Sequence, residues 1–263
     1  MNFSRETIGE LTEELFDDRL ERKVFRNLLV DKKSLPTELG YAVQKNLMEK
    51  TLKLNDDVIA GYKIGLTSKR MQELLGISEP IYGSILRSRI KQNGDIVSVK
   101  EFLNLGVECE IAVKLGRELN KKEGPFDLGA VAKAIDSIYP AIELIDDRRA
   151  DYKSVNVGSL IADNSWNAGL ILGNPVEAMP DAINALKGVL KVNGEVIDYG
   201  FSGDVLGHPL APVVWLANKV ESGLPAGTLI STGSIITTYF PKPSERCEFS
   251  IDNFGSVNIN CVA

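Results

Sequence analysis

We expect an α+β protein from this sequence, and the order of its predicted elements is consistent with that class. Two amphipathic helices occupy residues 1–55, and strand-like alternation of apolar and polar residues recurs from Ile59 onward. The part of the chain that follows Gly227 contains only predicted strands. We therefore predict a single domain over residues 1–263, in which residues 1–55 form a helical cover on a β-rich core of residues 56–263.

The N-terminal cover is predicted as two helices separated by a polar break. Ser4 is a candidate N-cap for a helix that runs to about Phe25. The break, DKKSLPT, follows, and Thr37 is a candidate N-cap for a second helix. Each helix has an apolar stripe on one face, formed by Ile8, Leu11, Leu15 and Phe16 in the first and by Leu39, Val43, Leu47 and Leu52 in the second.

The stretch Ile59–Leu75 is predicted as a strand followed by a short helix. Lys63 shares a strand face with Gly65, so this segment offers a positive charge beside space for a ligand. Thr67 or Ser68 is the predicted start of the helix. The alternative interpretation is an edge strand from which the lysine side chain reaches water.

The strand predicted over Leu105–Leu115 places two glutamates on one face. Glu108 and Glu110 lie one strand-step apart inside an apolar run, where two carboxylates repel each other because the dielectric is low. A divalent cation relieves this repulsion, since hard cations bind carboxylate oxygens. The alternative is an edge strand whose glutamate face is solvated.

A third glutamate, Glu143, lies in a short apolar strand predicted over Ala141–Ile145. Pro140 is expected to end the helix-like stretch before this strand. A carboxylate between Ile142 and Leu144 is costly to bury unless it is paired with a metal cation or an arginine. The three glutamates together predict a site of three carboxylates.

Three polar residues, Asp163, Asn164 and Ser165, come directly before the predicted strand Ala168–Leu172. Polar side chains at the end of a strand often contact a ligand, because such positions lie on loops at the edge of the core. Asx and Ser turns explain these residues equally well. Both interpretations stay open from the sequence alone.

The last third of the chain is predicted as a helix, a hairpin, a second helix and several strands. The first helix covers Ala178–Leu186, and Leu190–Ile197 forms a hairpin with an Asn-Gly type I′ turn. His208 comes just before a helix that a proline opens, and it either orients a substrate or caps the loop; we favour the cap. In the strand TLISTGSIITTYF, residues 232–234 interrupt the pattern where backbone N–H groups can bind an anion.

The composition excludes several classes of function. A net charge of -6 and a pI near 5.1, with no basic run, argue against a nucleic-acid partner. The polar N-terminus and the lack of an apolar stretch of about 18 residues predict a cytoplasmic protein without a membrane anchor. Three cysteines without CxxC spacing indicate a reducing compartment and exclude a cysteine-based zinc site, and the single histidine excludes a histidine-rich one.

These residues, in this order, resemble the fumarylacetoacetate hydrolase superfamily, and within it the hydratases and decarboxylases of 2-oxo and 2-hydroxydienoic acids in aromatic-ring degradation. The matching stretches are GYKIGLTSKRMQELLG, PIYGSIL, the strand with the two glutamates, IYPAIELIDDR, IADNSWNAG, LGHPL with WLANK, and TGS. They span Gly61–Ser234, about two thirds of the chain. The resemblance implies an α+β fold with a mixed, curved β-core and flanking helices, homo-oligomers, and in some members association with a sister enzyme of the pathway.

The resemblance also implies the site residues of one catalytic, metal-binding domain. It implies Mg²⁺ or Mn²⁺ ligands at Glu108, Glu110 and Glu143, the three residues that burial cost predicts. The candidate catalytic residues are Lys63, as a proton shuttle or a clamp for the substrate carboxylate, and Asp163, which would act on the attacking water. The candidate substrate-binding residues are Thr67, Asn164, Ser165, Thr232, Gly233 and Ser234.

Three functions are compatible with this resemblance. The first is a hydratase that converts a 2-hydroxydienoate to its 2-oxo form and adds water across the remaining double bond. The second is a decarboxylase of a 2-oxo dicarboxylic acid of the 4-oxalocrotonate type. The third is a metal-binding partner subunit with little activity of its own. We expect the hydratase, which makes the chain a metal-dependent lyase.

Three features of the sequence bear on the choice between hydratase and decarboxylase. Hydratases of this branch often carry an acid in the segment that matches Glu79–Gly83, whereas this chain has Ile81, as in the decarboxylases. Trp166 adds apolar surface, which suits a short, uncharged substrate tail. A second substrate carboxylate would need a fixed cation, for which Arg87 and Arg89 are candidates by proximity in sequence alone. We therefore predict water addition to a monocarboxylate.

Overall fold

The structure, a computed structural model, describes residues 3–176 and 179–263. Its first half contains α1 (Arg5–Leu20), β1 (Leu29–Val30), β2 (Lys33–Ser34), α2 (Thr37–Asn55), β3 (Ile59–Gly65), α3 (Lys69–Leu75), β4 (Ile81–Leu86), β5 (Ile90–Gln92), β6 (Ile96–Ser98), β7 (Leu105–Leu115) and α4 (Leu128–Ala132). Its second half contains β8 (Ile135–Asp146), α5 (Val157–Ala162), β9 (Asn167–Leu172), β10 (Lys187–Val192), β11 (Glu195–Phe201), α6 (Ala211–Lys219), β12 (Leu229–Ser234), β13 (Arg246–Ile251) and β14 (Gly255–Val262).

Two mixed sheets form the β-core, as the resemblance implies. The larger sheet has seven strands in the order β4-β3-β12-β7-β8-β9-β5, and the smaller has five in the order β11-β10-β13-β14-β6. The pairs β3–β12, β5–β9 and β6–β14 are parallel, and the other pairs in these two sheets are antiparallel. The α+β class is therefore confirmed.

The two faces of the seven-stranded sheet differ in character. On one face, Val107, Cys109 and Ile111 of β7 belong to a large apolar core that also contains Phe249 and Ile259 of the smaller sheet. The other face carries the glutamates of β7 and β8, because side chains alternate along a strand. The functional residues are therefore separated from the main core by the thickness of the sheet.

The N-terminal cover differs from prediction at two helix boundaries. The Ser4 hydroxyl accepts a hydrogen bond from the Thr7 N–H at 3.0 Å, which confirms it as the N-cap of α1. This helix ends at Leu20 and not near Phe25, because Arg22 has a left-handed backbone (φ 53°) that a right-handed helix cannot continue. The residue that caps α2 is Pro36, which makes no side-chain cap, so the prediction of Thr37 as N-cap is wrong.

The cover packs on the β-core through its apolar stripes. The buried residues of α1 and α2 share one cluster with Leu86 of β4 and Ala162 of α5. Gln44 of α2 donates hydrogen bonds to the carbonyls of Tyr82, at 2.9 Å, and Ile161, at 2.8 Å. The members of the stripes in this cluster are Leu11, Leu15, Leu39, Val43 and Leu47, with Ile8, Phe16 and Leu52 packed against them.

Two predictions in the middle of the chain that involve a proline residue are wrong. Pro140 does not precede a short strand but lies inside β8, opposite Ile111, where its carbonyl accepts a hydrogen bond from Gly173 at 2.8 Å. The predicted helix Ala178–Leu186 begins outside the described residues, and from residue 179 it is irregular apart from a short 3₁₀ turn at Ile183–Ala185. Pro180 lacks the N–H that a helix interior needs.

The C-terminal elements follow the prediction more closely. The Asn193–Gly194 turn, with both φ angles positive (51° and 90°), joins β10 and β11 as a type I′ hairpin. The strand predicted from residue 228 to 240 is shorter, because β12 ends at Ser234 after a register shift against β7. In the described part of the chain, no helix combines the length and the apolar character that crossing a membrane requires.

Candidate metal centre

Three glutamates converge on the face of the seven-stranded sheet that is turned away from the main core. Glu108 of β7 lies directly opposite Glu143 of β8, and Glu110 lies opposite the small side chain of Ala141. One carboxylate oxygen from each glutamate lies within 4.8 Å of the other two. Glu110 and Glu143 are fully buried, and Glu108 is partly exposed. We call these three residues the glutamate cluster.

Lys63 and Asn167 both contact Glu143. The Lys63 Nζ atom lies 3.2 Å from Glu143 Oε1, and the Asn167 Nδ2 atom donates a hydrogen bond of 2.9 Å to the same oxygen. Lys63 is buried because β3 lies inside the sheet, between β4 and β12. The alternative interpretation, an edge-strand lysine that reaches water, is therefore wrong.

A bulge in β12 supplies the partners of Glu110. The Ser231 hydroxyl and the Gly233 N–H donate hydrogen bonds to Glu110 Oε2 at 2.5 and 2.8 Å, and the register of β12 shifts between these residues. Gly233 has a φ of 112°, and a Cβ atom there would lie 2.3 Å from the Thr67 hydroxyl oxygen. Only glycine fits this position, which brings Thr67 against the bulge.

Glu108 has one hydroxyl partner, from a segment without regular structure. The Thr238 Oγ1 atom donates a hydrogen bond of 2.7 Å to Glu108 Oε1. A Cβ atom at Gly106 would lie 2.9 Å from the Thr238 methyl carbon, so the glycine allows Thr238 to approach the strand closely. Each of the three glutamates thus has at least one hydrogen-bond donor that fixes its orientation.

The buried charges shift one another's pKa values. Burial, followed by repulsion from the other two carboxylates, raises the pKa of Glu110 well above that of a free glutamate. Burial raises the pKa of Glu143 to about 7, although the Lys63 ammonium opposes this rise. Burial alone would lower the pKa of Lys63, but the three carboxylates outweigh this effect and the pKa is raised. Three carboxylates thus surround a single ammonium in the glutamate cluster.

Two carboxylate oxygens of the cluster are buried and have no hydrogen-bond partner among the described residues. They are Glu110 Oε1 and Glu143 Oε2. A buried acceptor without a partner is costly, and more so when it carries charge. A cation with oxygen ligands would satisfy both atoms at once. The donor set, three carboxylates without sulfur or imidazole, fits Mg²⁺ or Mn²⁺.

The space beside Lys63 is bounded by a glycine and an isoleucine. A Cβ atom at Gly65 would lie 3.4 Å from Lys63 Nζ and 3.6 Å from the Ile81 Cγ1 atom. Glu79, the nearest acid in that segment, is directed elsewhere, because it bonds to Trp215 at 3.1 Å and Lys219 at 2.7 Å. The wall beside the lysine ammonium is thus apolar at residue 81.

Asp163 lies in a second buried cluster of charges. Its carboxylate accepts a hydrogen bond from Arg148 Nε at 3.0 Å and one from Arg19 Nη1 at 2.8 Å. Arg148 lies two residues after the end of β8, whereas Arg19 belongs to α1. Among the described residues, no hydrogen bond or ion pair joins Asp163 to the glutamate cluster. We call Asp163, Arg148 and Arg19 the arginine–aspartate cluster.

Three consecutive residues after Asp163 have left-handed backbones. Asn164, Ser165 and Trp166 have φ angles of 56°, 50° and 58°. This conformation costs roughly 1–2 kcal/mol per residue, so neighbouring contacts must fix it. Asn164 accepts from the Ser84 N–H at 2.7 Å and donates to the Ser84 carbonyl at 2.9 Å. The Ser165 hydroxyl donates to the carbonyl of residue 82 at 3.0 Å.

The structure thus groups only part of the predicted site. Lys63, the three glutamates, Gly233 and Thr67 come together, whereas Asn164 and Ser165 contact β4. The hydroxyls of Thr232 and Ser234 bond to main-chain carbonyls, at 2.8 Å and 2.7 Å. Three residues that contact the glutamates were not predicted from the sequence: Asn167, Ser231 and Thr238. Ser231 was detectable, because it shares a strand face with Gly233.

The remaining candidates are Arg87, Arg89 and His208, and the last two of these line cavities. A cavity of about 310 Å³ adjoins Asn167 on the side of the N-terminal cover, and its arginines are Arg19, Arg22, Arg89 and Arg148. Arg87 and Arg89 are exposed on a short 3₁₀ turn after β4. His208 lies at a cavity of about 350 Å³. It accepts a hydrogen bond from the Leu210 N–H at 3.1 Å, as a loop cap does. Burial lowers the pKa of His208.

A mixed β-core that carries three converging carboxylates, two of them fully buried, beside a buried lysine defines a class of enzyme with a candidate metal site. The chain belongs to the fumarylacetoacetate hydrolase family, since the family model for the fumarylacetoacetate (FAA) hydrolase C-terminal region matches residues 41–262. Within that family it is a lyase of the hydratase or decarboxylase type. The resemblance found in the sequence is confirmed.

Two curated relatives and one solved structure represent the similarity. The 4-oxalocrotonate decarboxylase of Pseudomonas putida is 30% identical over 98% of both chains. The 2-oxo-hept-4-ene-1,7-dioate hydratase of Escherichia coli is 32% identical over 99% of this chain and 100% of its own. The structure of 4-oxalocrotonate decarboxylase from Pseudomonas putida G7 with magnesium and adipate aligns with a TM-score of 0.91, 28% identity and 99% coverage of both chains.

Proposed function

We propose that this chain is a metal-dependent hydratase that adds water to a 2-hydroxy-2,4-dienoate with one carboxylate and yields a 4-hydroxy-2-oxo acid. The observation that carries the proposal is the glutamate cluster beside the ammonium of Lys63. In it, Glu110 and Glu143 each retain a buried oxygen that has no partner in the described part of the chain. Such a site is suited to a cation and to a substrate that develops negative charge.

Glu108, Glu110 and Glu143 would hold Mg²⁺ or Mn²⁺, as the magnesium in the related decarboxylase structure suggests. The bound cation would act as a Lewis acid on the substrate oxygens and stabilise the charge that develops on them. A 2-oxo acid suits such a centre, since its carboxylate and its 2-oxo group are both hard oxygen donors. The named relatives act on acids of this kind.

Lys63 is the residue that we assign to proton transfer or to binding of the substrate carboxylate. Its Nζ atom is buried, and Gly65 leaves the space beside it open. In the first step, the proton of the 2-hydroxyl group leaves and a proton is added to carbon, so the 2-oxo form results. Water then adds across the remaining carbon–carbon double bond, with the hydroxyl group on C4 and hydrogen on the adjacent carbon. The net change is the addition of one water molecule, and Lys63 Nζ can carry the transferred proton.

A monocarboxylate is favoured because the buried cations near the site are already paired. Lys63 pairs with Glu143, and Arg148 pairs with Asp163 at 2.8 Å. A second substrate carboxylate would have to displace one of these partners, which would leave another buried charge without compensation. Trp166, which is buried, adds apolar surface beside Asn167.

Decarboxylation of a 2-oxo dicarboxylic acid is the second candidate, and two observations favour it. The cavity of about 310 Å³ that adjoins Asn167 is lined by four arginines, including the exposed Arg89, and could receive a distant carboxylate. Ile81 also leaves the wall beside Lys63 without an acid that could bind the attacking water. In this reaction, the bond to the departing carboxylate would break, its electron pair would pass into the conjugated 2-oxo group, and that group would become the enolate, which then takes up a proton.

Turnover of two substrates with Mg²⁺ separates these candidates. The protein is incubated with 2-hydroxypenta-2,4-dienoate and, separately, with 2-oxohex-3-enedioate, and products and CO₂ are identified. We expect metal-dependent hydration of the monocarboxylate. Metal-dependent CO₂ release without hydration would establish the decarboxylase instead. If neither substrate reacts although the metal binds, the third function, a metal-binding partner subunit, replaces both.

An arginine variant sharpens the same experiment. Arg89→Gln removes an exposed guanidinium from the cavity, whereas Arg87→Gln removes a neighbouring one that does not line it. If the hydratase proposal is correct, neither change alters the KM for the monocarboxylate by more than about twofold. A dicarboxylate whose KM rises about tenfold or more in Arg89→Gln alone would show that Arg89 binds a second substrate carboxylate, and CO₂ release from that substrate would then support the decarboxylase.

A further inference from the structure

We propose that the left-handed turn Asp163–Trp166 orients Asn167 toward Glu143, and that Asp163 is a positioning residue and not a carrier of protons. The sequence analysis had placed Asp163 among the catalytic residues. This inference rests on the proposed metal-dependent function, because its consequence is a change in metal affinity.

The β4 strand fixes the turn on one side. Asn164 bonds to both backbone groups of Ser84, and Ser165 bonds to the carbonyl of residue 82. Between these two contacts lies Gly83, where a Cβ atom would be only 2.4 Å from the Asn164 carbonyl oxygen. The turn therefore packs directly on the backbone of β4 at a position that has no side chain. It cannot shift along β4 unless three hydrogen bonds break.

The arginine–aspartate cluster fixes the turn on the other side. Arg148 lies five residues after Glu143 on the same stretch of chain, and its guanidinium bonds to Asp163. Arg19 of α1 bonds to the Asp163 carboxylate at 2.8 Å and to its carbonyl at 3.3 Å. Asp163 thus connects the turn with the end of the strand that carries Glu143 and with the N-terminal cover.

Asn167, the first residue after the turn, determines which oxygen of Glu143 stays free. Asn167 donates to Oε1, the oxygen that also faces Lys63, while Oε2 is buried and without a partner among the described residues. Rotation of the Glu143 carboxylate would therefore cost two contacts at Oε1 while the turn is in place. Displacement of the turn would remove the donor that prevents this rotation, and the preorganisation of the metal site would fall.

The test is a double-variant cycle that uses Mn²⁺ as the probe, with binding to the full chain followed by electron paramagnetic resonance. Arg19→Met removes a contact of the turn but leaves Arg148 on Asp163, and Arg19 is 33% exposed, so the fold should persist. We expect the dissociation constant to rise about fivefold in Arg19→Met and about tenfold in Asn167→Ala. In the double variant, it should rise no further than in Asn167→Ala alone, because Arg19 acts through Asn167.

Two comparisons separate positioning from general stability. Arg26→Met breaks ion pairs with Asp18 and Glu14 near the same cover but does not contact the turn, so its Mn²⁺ affinity should stay within about twofold of wild type. Gly83→Ala displaces the turn from the β4 side and should reproduce the non-additive pattern with Asn167→Ala. Arg19→Lys keeps the charge, so it should retain most of the Mn²⁺ affinity that Arg19→Met loses.

Losses that multiply in the double variant, to about fiftyfold, would overturn the inference, since Arg19 would then act independently of Asn167. Unchanged affinity in Arg19→Met and in Gly83→Ala would overturn it as well. Both results leave the proposed function intact, because the wild-type protein still binds Mn²⁺. A wild-type protein that binds no Mn²⁺ contradicts the proposed function, and the inference fails with it.

Discussion

The glutamate cluster and the arginine–aspartate cluster are both buried groups of charges, but their charges are balanced in different ways. The first has three carboxylates against one ammonium, and two of its buried oxygens lack partners among the residues described here. The second has one carboxylate against two guanidinium groups, with ion pairs of 2.8 Å to each. In the first cluster, an added cation would satisfy the two carboxylate oxygens that lack partners. In the second, both carboxylate oxygens of Asp163 are paired, although Arg148 Nη2 has only this ion pair and no hydrogen bond among the described residues.

This difference is the one expected between a candidate binding site and an architectural contact. A folded chain tolerates an uncompensated buried charge only where another interaction offsets the cost, and a ligand is the common reason at functional sites. A compensated cluster needs no ligand and connects the elements that supply its members. The same type of substitution, carboxylate to amide, should therefore have opposite effects on stability in the two clusters.

The largest expected effect is that of Asp163→Asn on folding. The change leaves the Arg148 guanidinium, which is 5% exposed, without its counter-charge. We expect the free energy of unfolding to fall by about 3 kcal/mol, because removal of one member of a buried ion pair leaves the other uncompensated. Urea denaturation measures this change. A loss below about 1 kcal/mol would mean that the cluster contributes little to the fold.

The next effect is that of Lys63→Met on turnover. Methionine keeps most of the apolar stem and removes the ammonium that lies beside Glu143. With saturating Mg²⁺, we expect kcat to fall at least about a hundredfold while the protein stays folded. Lys50→Met, which removes a surface lysine of α2, is the matched control and should keep wild-type kcat. Near-normal kcat in folded Lys63→Met would exclude a role for Lys63 in the reaction.

A smaller effect is expected for Thr238→Val on metal affinity. Valine has nearly the same shape but lacks the hydroxyl that donates to Glu108 at 2.7 Å. The Mn²⁺ dissociation constant should rise about tenfold, because groups that orient a metal ligand contribute to affinity. Thr12→Val is the control, since that buried hydroxyl donates to the Ile8 carbonyl in α1. Equal affinities of the two variants would contradict this role of Thr238.

The smallest effect concerns the stability of the metal-free protein and its dependence on pH. The pKa of Glu110 is raised in the folded state by burial and by repulsion from Glu143 and Glu108. The folded protein therefore binds more protons than the unfolded chain, and its stability falls as pH rises above the pKa of a free glutamate. Glu110→Gln removes this dependence.

We thus expect metal-free Glu110→Gln to be more stable than wild type by about 1 kcal/mol at pH 8, with little gain at pH 5. Thermal unfolding in the presence of a chelator, measured at both pH values, checks this. A destabilised variant at pH 8, or a gain that grows as pH falls, would show that Glu110 is not strained by its neighbours.

The glutamate cluster could be predicted from the sequence because its evidence is local. The strand Leu105–Leu115 has the predicted bounds, and alternation places Glu108 and Glu110 on one face. The burial cost of Glu143 follows from its two apolar neighbours alone. The three glutamates form one site because the adjacent strands β7 and β8 pair with each other.

Apart from Ser231, the orienting residues could not be predicted, because they depend on register and on long-range contacts. The bulge in β12 directs Ser231 and the Gly233 N–H to Glu110, whereas the hydroxyls of Thr232 and Ser234 bond to the main chain. Thr238 lies in a segment that was predicted as strand but has no regular structure, and the contact that Asp163 makes with Arg19 spans 144 residues. Pattern analysis identifies polar residues near the site but does not determine their partners.

The most direct test of the central claim, that the glutamate cluster is the metal centre, is calorimetric titration of Mn²⁺ into wild type and Glu143→Gln. The variant removes one charge at nearly constant shape, and Glu248→Gln, on a strand of the smaller sheet, is the matched control. We predict one binding site in wild type and in Glu248→Gln, and an affinity at least about tenfold lower in folded Glu143→Gln. Wild-type affinity in Glu143→Gln would contradict the account.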